Sequence, residues 1–328
     1  MKKRTVLSVL AVCLLAFAIQ AQASTINFYY TTLGSPDVFS NTYNTSTNTA
    51  GSPVAIGASL QGADGIGAGP VVGGQRTVYF TGETDQTIFQ IPVTPGATVS
   101  TGNAGITAYL LAENPAATSL FTFNNIGNIS AVPLTGAGLI AGAGTVHTVT
   151  GADINVSEMV WSPVSGGPVF YVTGAPGSGG GDLGTINLST YVTTKLFTGI
   201  TTAEDAHYDP FTGLILLFGQ GQIDNFDPVA QTLGTALSVP GGTCGANTLT
   251  TGAIDGLGHA LITNCGTLSY IDYSATHNIL TGTVTTLPGI FPGKDIVIFQ
   301  STGTPEPSTM GFALAGLALV AVGRFRRG

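Results

Sequence analysis

The chain has 328 residues, 47 of them glycine, and only 8% of its residues are charged. Nine Lys and Arg are outnumbered by 17 Asp and Glu, which gives a formal net charge of −8. Six of the nine cations lie in the first four and last five residues, so residues 24–303 carry three cations against 16 acidic residues, a net charge of −13. Such a surface repels phosphate backbones, and nucleic-acid binding needs clustered cations. We therefore exclude nucleic acid as a partner.

Residues 1–23 have the three parts of a secretory signal peptide. Residues 2–4 are basic, residues 6–19 are apolar, and residues 21–23 are Ala-Gln-Ala, a small-x-small cleavage site. We expect cleavage after residue 23 and export through the inner membrane. A lipoprotein signal at Cys13 is disfavoured because the apolar run continues past that residue.

Residues 24–303 predict an all-β domain. Apolar runs of four to six residues, rich in Val, Ile, Phe, Tyr and Thr, recur between Gly, Pro and Asn turns, which is the pattern of β-strands. Stretches of helical period are nearly absent. The 280 residues suffice for one large β domain or two small ones. Within them, residues 41–74 are rich in Gly and Thr and fit either an irregular unit or a surface linker.

One sequence unit recurs in this domain at a nearly constant period. Residues 158–163 align with residues 205–210, and both continue through a Gly turn into another strand. A third copy aligns as well, so that Trp161, Tyr208 and Ile254 are spaced by 47 and 46 residues. A fixed period of this length decides the architecture of a β domain.

Fainter copies of the unit flank these three. They begin near residues 76 and 109, and residues 294–299 match the opening strand of a further unit. Dividing 280 residues by a period of 46 gives six units. Units of about 40–50 residues with several short strands are typical of propeller blades, whose repeated apolar residues pack between blades. The sequence predicts a β-propeller of about six blades, closed by pairing of residues 295–299 with residues 25–30. A pair of β-sandwiches or a β-solenoid is the alternative.

Two cysteines, Cys244 and Cys265, remain once the signal peptide is removed. An even pair in an oxidising periplasm most simply forms a disulfide. Closing a loop of about 20 residues would stabilise the fold by roughly 3 kcal/mol in the chain-entropy account. Without a nearby pair of histidines, a metal site or a catalytic thiol is disfavoured.

Three carboxylates occupy one position of the repeat, namely Glu158, Asp205 and Asp295. In a propeller they would enter the central channel, where carboxylate, carbonyl and water oxygens could hold a hard cation such as Ca²⁺, as in the metal-binding lactonase propellers. The third copy has Thr251 at this position. That departure favours a second interpretation, in which each carboxylate caps a turn through its own backbone amides.

Catalytic candidates are few. His207 lies two residues before Asp209, a pair that could act as a general base. However, His147, His259 and His277 are in no matching nucleophile motif, and neither Gly-x-Ser-x-Gly nor His-Glu-x-x-His occurs. We therefore interpret the His–Asp pair as structural and assign no catalytic residue.

Residues 304–328 contain three parts in a fixed order. A tripeptide is followed by an apolar run, residues 310–322, and then by a basic terminus; the residues concerned are Pro305, Glu306, Pro307, Arg324, Arg326 and Arg327. A helix over the apolar run reaches roughly 20 Å and spans a bilayer only with flanking residues and snorkelling arginines. The positive-inside tendency places the arginines in the cytoplasm and the prolines outside, where they keep the peptide extended.

This order resembles the PEP-CTERM sorting tail of Gram-negative bacteria. The resemblance covers less than a tenth of the chain but is specific, because the three parts seldom occur together at a C-terminus. It implies that an exosortase recognises the tail in the inner membrane, processes it and releases the protein to the cell surface or the medium. A permanent, uncut transmembrane anchor is the alternative.

Two functions are compatible with these observations. The first is a non-enzymatic cell-surface or extracellular-matrix protein associated with extracellular polysaccharide and biofilm, for which no cofactor is predicted; the family resemblance adds glycans on Ser and Thr. The second is a propeller hydrolase or lactonase that uses a divalent cation bound in its channel.

Overall fold

A computed structural model describes residues 25–299 except 33–34, 60–61, 83, 85, 125, 175–179, 241–249, 265 and 288–292. The described residues form 27 β-strands, one 3₁₀ turn at Ile279–Thr281 and no α-helix, so the all-β prediction is confirmed. The signal peptide, the sorting tail and both cysteines of the predicted disulfide lie outside the described residues.

The first three sheets contain strands β1 to β12. The first contains β1 (Thr25–Thr32), β2 (Asp37–Asn44), β3 (Thr49–Ala50) and β4 (Val54–Ala58). The second contains β5 (Ala63–Val72), β6 (Gln75–Gly82), β7 (Thr87–Pro92) and β8 (Ser100–Asn103). The third contains β9 (Leu111–Glu113), β10 (Ser119–Phe123), β11 (Asn128–Pro133) and β12 (Thr145–Thr148).

Three further sheets follow, and the last strand returns to the first. The fourth sheet contains β13 (Thr150–Gly151), β14 (Glu158–Trp161), β15 (Val169–Val172), β16 (Gly181–Asn187) and β17 (Val192–Ile200). The fifth contains β18 (Asp205–Asp209), β19 (Leu214–Gly219), β20 (Gln222–Asp227), β21 (Thr232–Leu233) and β22 (Leu237–Ser238). The sixth contains β23 (Thr250–Ile254), β24 (His259–Asn264), β25 (Thr267–Asp272) and β26 (Thr283–Thr286), and β27 (Gly293–Ile298) joins the first sheet.

The six sheets are the blades of a propeller. Each is an antiparallel meander, apart from the short parallel strand β13 at the outer edge of the fourth. The innermost strands β5, β9, β14, β18, β23 and β27 contact one another in that order, and β27 contacts β5 to complete the ring. The predicted propeller of six blades is confirmed, and the sandwich and solenoid alternatives are wrong.

The ring is closed by pairing of the two ends of the described chain. β27 is antiparallel to β1, with Phe28 opposite Ile298 and Tyr30 opposite Ile296. This is the predicted closure, and it pairs the edge of β1 that would otherwise be exposed.

The core lies between blades rather than inside any one of them. The described residues form six hydrophobic clusters, one at each interface between neighbouring blades. Alternation along β15 shows how they form: Phe170 packs toward the fifth blade with its ring 5.1 Å from that of Phe226, whereas Tyr171 joins Phe121 and Phe123 of the third blade. Successive side chains of a strand point to opposite faces of its sheet, so each blade supplies two interfaces.

The channel has two different ends because the innermost strands all run in one direction. At one end, which we term the hairpin face, tight connections join the first and second strands of blades two to six, at residues 73–74, 114–118, 162–168, 210–213 and 255–258. At the other end, which we term the start face, the innermost strands begin.

Candidate functional site

A central channel lies between the six innermost strands, and Glu158 and His207 are among the residues that line it. It has a volume of about 570 Å³, and every innermost strand contributes to its wall, at residues 66–68, 111–113, 158–161, 206–208, 252–254 and 296–298. Its position follows from the fold, because six short strands that pack their side chains sideways into neighbouring blades leave an open axis.

The three predicted carboxylates lie near the start face of this channel. Glu158 and Asp205 are the first residues of β14 and β18, and Asp295 is the third residue of β27. All three are buried, with 4%, 2% and 5% of their surface exposed. Burial of ionisable groups is costly unless hydrogen bonds satisfy them, so their partners decide their role.

Those partners are mostly backbone amides. Asp205 Oδ2 accepts a hydrogen bond from the N–H of Gly252 in the next blade at 3.0 Å, and Asp295 Oδ2 accepts one from the N–H of Ile66 at 2.9 Å, again in the next blade. Glu158 Oε1 accepts from the N–H of Met159 at 2.9 Å. Asp205 and Asp295 therefore fasten innermost strands together, whereas Glu158 caps the adjacent amide of its own strand.

Thr251, which replaces the carboxylate in the sixth blade, makes an equivalent connection with the opposite polarity. Its Oγ1 donates to the carbonyl of Lys294 in the next blade at 3.0 Å. At Asp205, Asp295 and Thr251 the repeat position thus joins neighbouring blades, through either a carboxylate or a hydroxyl. This common role explains why a threonine is compatible with the pattern.

Burial and mutual repulsion raise the pKa values of Glu158 and Asp295. Burial raises the pKa of Glu158 well above its usual value, and the charges of Asp205 and Asp295 add to this effect. Burial likewise raises the pKa of Asp295 to about 7, with repulsion by Asp205 added and the Ile66 amide acting against it. The site is therefore partly protonated near neutral pH.

His207 contacts Asp205 across this cluster. Its Nε2 lies 3.1 Å from Asp205 Oδ1, and its side chain is 38% exposed toward the channel. Burial acts to lower the pKa of His207, but the charge of Asp205 and a hydrogen bond to it outweigh burial, so the pKa is raised.

Among the described contacts, His207 pairs with Asp205 and not with Asp209, the neighbour that the sequence suggested as a possible general-base partner. The carboxylate of Asp209 instead accepts hydrogen bonds from the hydroxyls of Tyr273 at 3.1 Å and Thr212 at 2.8 Å, and from the amide of Phe211 at 3.0 Å. Asp209 is thus a structural residue of the β18–β19 hairpin. Asp205 and Asp209 are both two residues from His207, so alternation alone could not choose between them.

A calcium site at the three carboxylates stays a prediction. Among the residues that the structure describes, no group of three or more His, Cys, Asp or Glu side chains is arranged to hold a metal ion. Two oxygens of Asp295 and one oxygen each of Glu158 and Asp205 already accept backbone hydrogen bonds. A cation at this position would compete with those amides.

Sequence reasoning missed a buried ion pair at the ring closure. Lys294 Nζ lies 2.7 Å from Asp64 Oδ1, with side-chain exposures of 10% and 0%. Lys294 precedes Asp295 on β27, and Asp64 is on β5 of the second blade. The sequence does show a cation one residue before a channel carboxylate, which could have suggested an ion pair. Its partner, Asp64, could be identified only from the contact between β5 and β27.

The hairpin end of the channel is different in character. Trp161 and Tyr208, the aromatic members of the repeat, line the channel there and are partly exposed. Glu113 lies at the same end, and burial raises its pKa. The channel therefore runs from a buried carboxylate end to an aromatic mouth.

Comparisons with known proteins identify the tail and the fold. Residues 304–327 match the family model of the PEP-CTERM protein-sorting motif, which confirms the resemblance. The motif implies an exported protein that an exosortase sorts through a C-terminal membrane-anchoring signal. In the described part of the chain, no helix is both long enough and apolar enough to span a membrane.

Solved structures share the propeller fold at low sequence identity. The nidogen/laminin complex has a TM-score of 0.58 and 12% identity, over 85% of this chain and 100% of that chain. A putative 6-phosphogluconolactonase from Bacteroides fragilis has a TM-score of 0.55 and 12% identity, over 85% and 99% of the two chains. A functionally unknown protein from Desulfotomaculum acetoxidans has 0.52 and 11%, over 84% and 99%. No curated protein sequence is significantly similar to this chain.

Proposed function

We propose that this chain is a non-enzymatic propeller of the cell surface or extracellular matrix that associates with extracellular polysaccharide. The observation that carries the non-enzymatic part is the use of the channel carboxylates: Asp205 and Asp295 accept amides of neighbouring blades. Groups engaged in holding the ring together are poorly placed to move toward a substrate. The sorting motif supplies the route to the exterior.

The charges of the body favour a polar partner that carries little or no negative charge. Each of its three cations has a nearby partner: Lys195 lies within 2.9 Å of Asp153 and 2.6 Å of Asp182, Lys294 pairs with Asp64, and Arg76 stacks over Phe299. Acidic polymers would therefore find few available cations, whereas hydroxyl-rich glycans can bond to a surface rich in Ser, Thr and Asn.

Polysaccharide binding is tested by sedimenting the purified body, residues 24–303, with exopolysaccharide from the producing cells. We expect co-sedimentation that resists high salt, because the contacts are hydrogen bonds rather than ion pairs. Lactonase and glycosidase substrates should remain unchanged by the same preparation. Recovery of the protein only in the supernatant, or turnover of a substrate, would contradict the proposal.

Processing of the tail is tested separately by mass spectrometry of protein from the cell envelope and the medium. A C-terminus between Pro305 and Ser308 in the released form is the expected result. An intact Arg327-Gly328 end in every fraction would mean a permanent anchor.

The second candidate, a hydrolase or lactonase with a channel-bound divalent cation, is favoured by one observation. The cavity of about 570 Å³ reaches both Glu158 and His207. Its test is thermal unfolding with added Ca²⁺ and with EDTA. A rise in the melting temperature with Ca²⁺ that Glu158→Gln abolishes would favour this candidate, and an unchanged melting temperature would favour the first.

A further inference from the structure

Both ends of the propeller body leave from the hairpin face. The pair of Phe28 with Ile298 is the last of the β1–β27 ladder, so Thr25 and Phe299 both lie beyond it toward that face. The ring of Phe299 is 5.3 Å from that of Tyr29 and lies 4.8 Å beneath the guanidinium of Arg76, next to the β5–β6 hairpin. Because β27 is an innermost strand, the chain leaves beside the mouth of the channel rather than at the rim of the disc.

The linker from this exit to the membrane segment is short. Ten residues, 300–309, separate Phe299 from the apolar run that starts at Met310. Fully extended, they span at most about 35 Å. An innermost strand of six residues is about 20 Å high, and four or five strands at about 4.8 Å spacing reach about 20 Å from the channel axis. To bring the start face to the bilayer, the linker would have to cover roughly 40 Å, which exceeds its reach.

The hairpin face also presents apolar side chains to solvent. Val71 and Val164, at the tips of two hairpins, are 61% and 56% exposed. The aromatic mouth with Trp161 and Tyr208 opens at the same face. Indole and phenol rings favour the boundary between headgroups and water. Asp227 and Asp272, at the ends of outer strands on this face, disfavour an anionic surface.

We propose that, while the tail anchors the chain, the hairpin face rests on a zwitterionic phospholipid surface and covers the aromatic mouth of the channel, and that removal of the tail uncovers it. The inference depends on the anchoring tail and not on polysaccharide binding, so either can fail without the other. It adds a role for processing: the released protein has a channel end that the anchored protein does not expose.

Trp161 is the single tryptophan of the chain, so its fluorescence reports on this face. The mature full chain, residues 24–328, is reconstituted in phosphatidylethanolamine and phosphatidylcholine vesicles that contain a lipid with a nitroxide on its headgroup. We expect strong quenching of Trp161, and protection of Trp161 from aqueous acrylamide. The body ending at residue 303 should show neither effect with the same vesicles.

A matched variant places the probe on the opposite face. Ile126 is 73% exposed in the β10–β11 turn of the start face, so Trp161→Phe combined with Ile126→Trp should show little quenching by the same lipid. Equal quenching of the two probes in anchored protein would overturn the proposed orientation, as would equal quenching of Trp161 with and without the tail.

The apolar tips are tested without disturbing the core. Val71→Asp with Val164→Asp should weaken the quenching of Trp161 in the anchored protein, because two carboxylates would replace the apolar side chains that contact the lipid surface. Both side chains are exposed, so the substitutions should leave the fold intact. Ile126→Asp should leave the quenching of Trp161 unchanged. If the double variant at the hairpin tips is quenched as strongly as the unsubstituted protein, the face does not rest on the lipid surface.

Discussion

Asp205 links two functions at the residue scale, because it holds a neighbouring strand and also sets the charge of His207. Its Oδ2 accepts the Gly252 amide while Oδ1 faces the imidazole at 3.1 Å. An acceptor with two oxygens can satisfy both without moving. The imidazole is therefore the group of the cluster that responds most directly to a change at Asp205.

Asp205→Asn should lower the pKa of His207. The amide retains an oxygen for Gly252 but removes the negative charge that raises the imidazole pKa, so the effect of burial, which lowers it, will dominate. Titration of the His207 ring resonances by NMR measures the change. Asp209→Asn serves as the control, since Asp209 bonds to Tyr273 and not to His207. An unchanged His207 pKa in Asp205→Asn would contradict the assigned contact.

The residues of this site were predictable only in part. A shared position in a repeat correctly placed Glu158, Asp205 and Asp295 on innermost strands, because equivalent positions of a repeat occupy equivalent places in the fold. The hydrogen bonds of Asp205 and Asp295 to the next blade could not be predicted, since those depend on the rotation between blades. The disulfide of Cys244 with Cys265 and the calcium site remain predictions.

At the scale of the element, β27 combines closure of the ring with a buried ion pair. Lys294 bonds to Asp64 through its side chain and to Thr251 through its carbonyl. Pairing of β27 with β1 was predicted from apolar patterns at the two ends of the domain. The ion pair was not, because Asp64 lies in the Gly- and Thr-rich stretch of residues 41–74, which fitted either an irregular blade or a linker. That stretch contains all of β3, β4 and β5.

Lys294→Met should destabilise the body by about 3–5 kcal/mol, the usual cost of leaving one charge of a buried pair without its partner. Adding Asp64→Asn removes the second charge and should recover most of that loss. Chemical denaturation of the two variants and the unsubstituted body measures the difference. If the double variant is less stable than Lys294→Met alone, the two residues do not form a coupled pair.

Deleting β27 should have a larger effect than deleting the tail. A chain ending at residue 292 leaves the edge of β1 unpaired and opens the interfaces on either side of the first blade, so we expect loss of the cooperative thermal transition and rapid proteolysis. A chain ending at residue 303 keeps the ladder from Phe28 to Gly293 and should unfold at the temperature of the mature full chain, residues 24–328. Similar protease resistance of the two truncations would contradict closure by β27.

At the scale of the whole molecule, the spacing of the sequence repeat was sufficient to predict the propeller architecture. Blades of about 46 residues bury one face on each neighbour, and this is the observed arrangement of six clusters at six interfaces. The acidic composition affects the interior of the molecule as well as its surface. Several carboxyl groups are buried, and residues 24–303 contain only three Lys and Arg to pair with 16 Asp and Glu. Most buried carboxyl groups therefore have no cation as a partner.

The stability of the body should therefore fall as the pH rises from about 4 to above 7. Five carboxyl groups have raised pKa values, mainly through burial: Glu113, Glu158, Glu204, Asp224 and Asp295. The unfolded chain releases these protons near pH 4, whereas the native protein retains them to higher pH. Where the native state binds more protons than the unfolded state, the free energy of unfolding decreases with pH. For Asp295, whose pKa rises from 3.8 to about 7, the loss approaches about 4 kcal/mol once the pH exceeds 7.

His207 changes stability in the same direction. Its raised pKa gives a contribution that is complete below pH 6.5 and disappears as the pH rises through the folded value. Melting temperatures measured from pH 5 to pH 8 should therefore decline steadily. Glu158→Gln, which keeps an acceptor for the Met159 amide but cannot ionise, should decline less steeply than the unsubstituted body. A melting temperature that rises toward pH 8, or an identical slope in the variant, would show that the buried carboxyl groups do not control the stability of the ring.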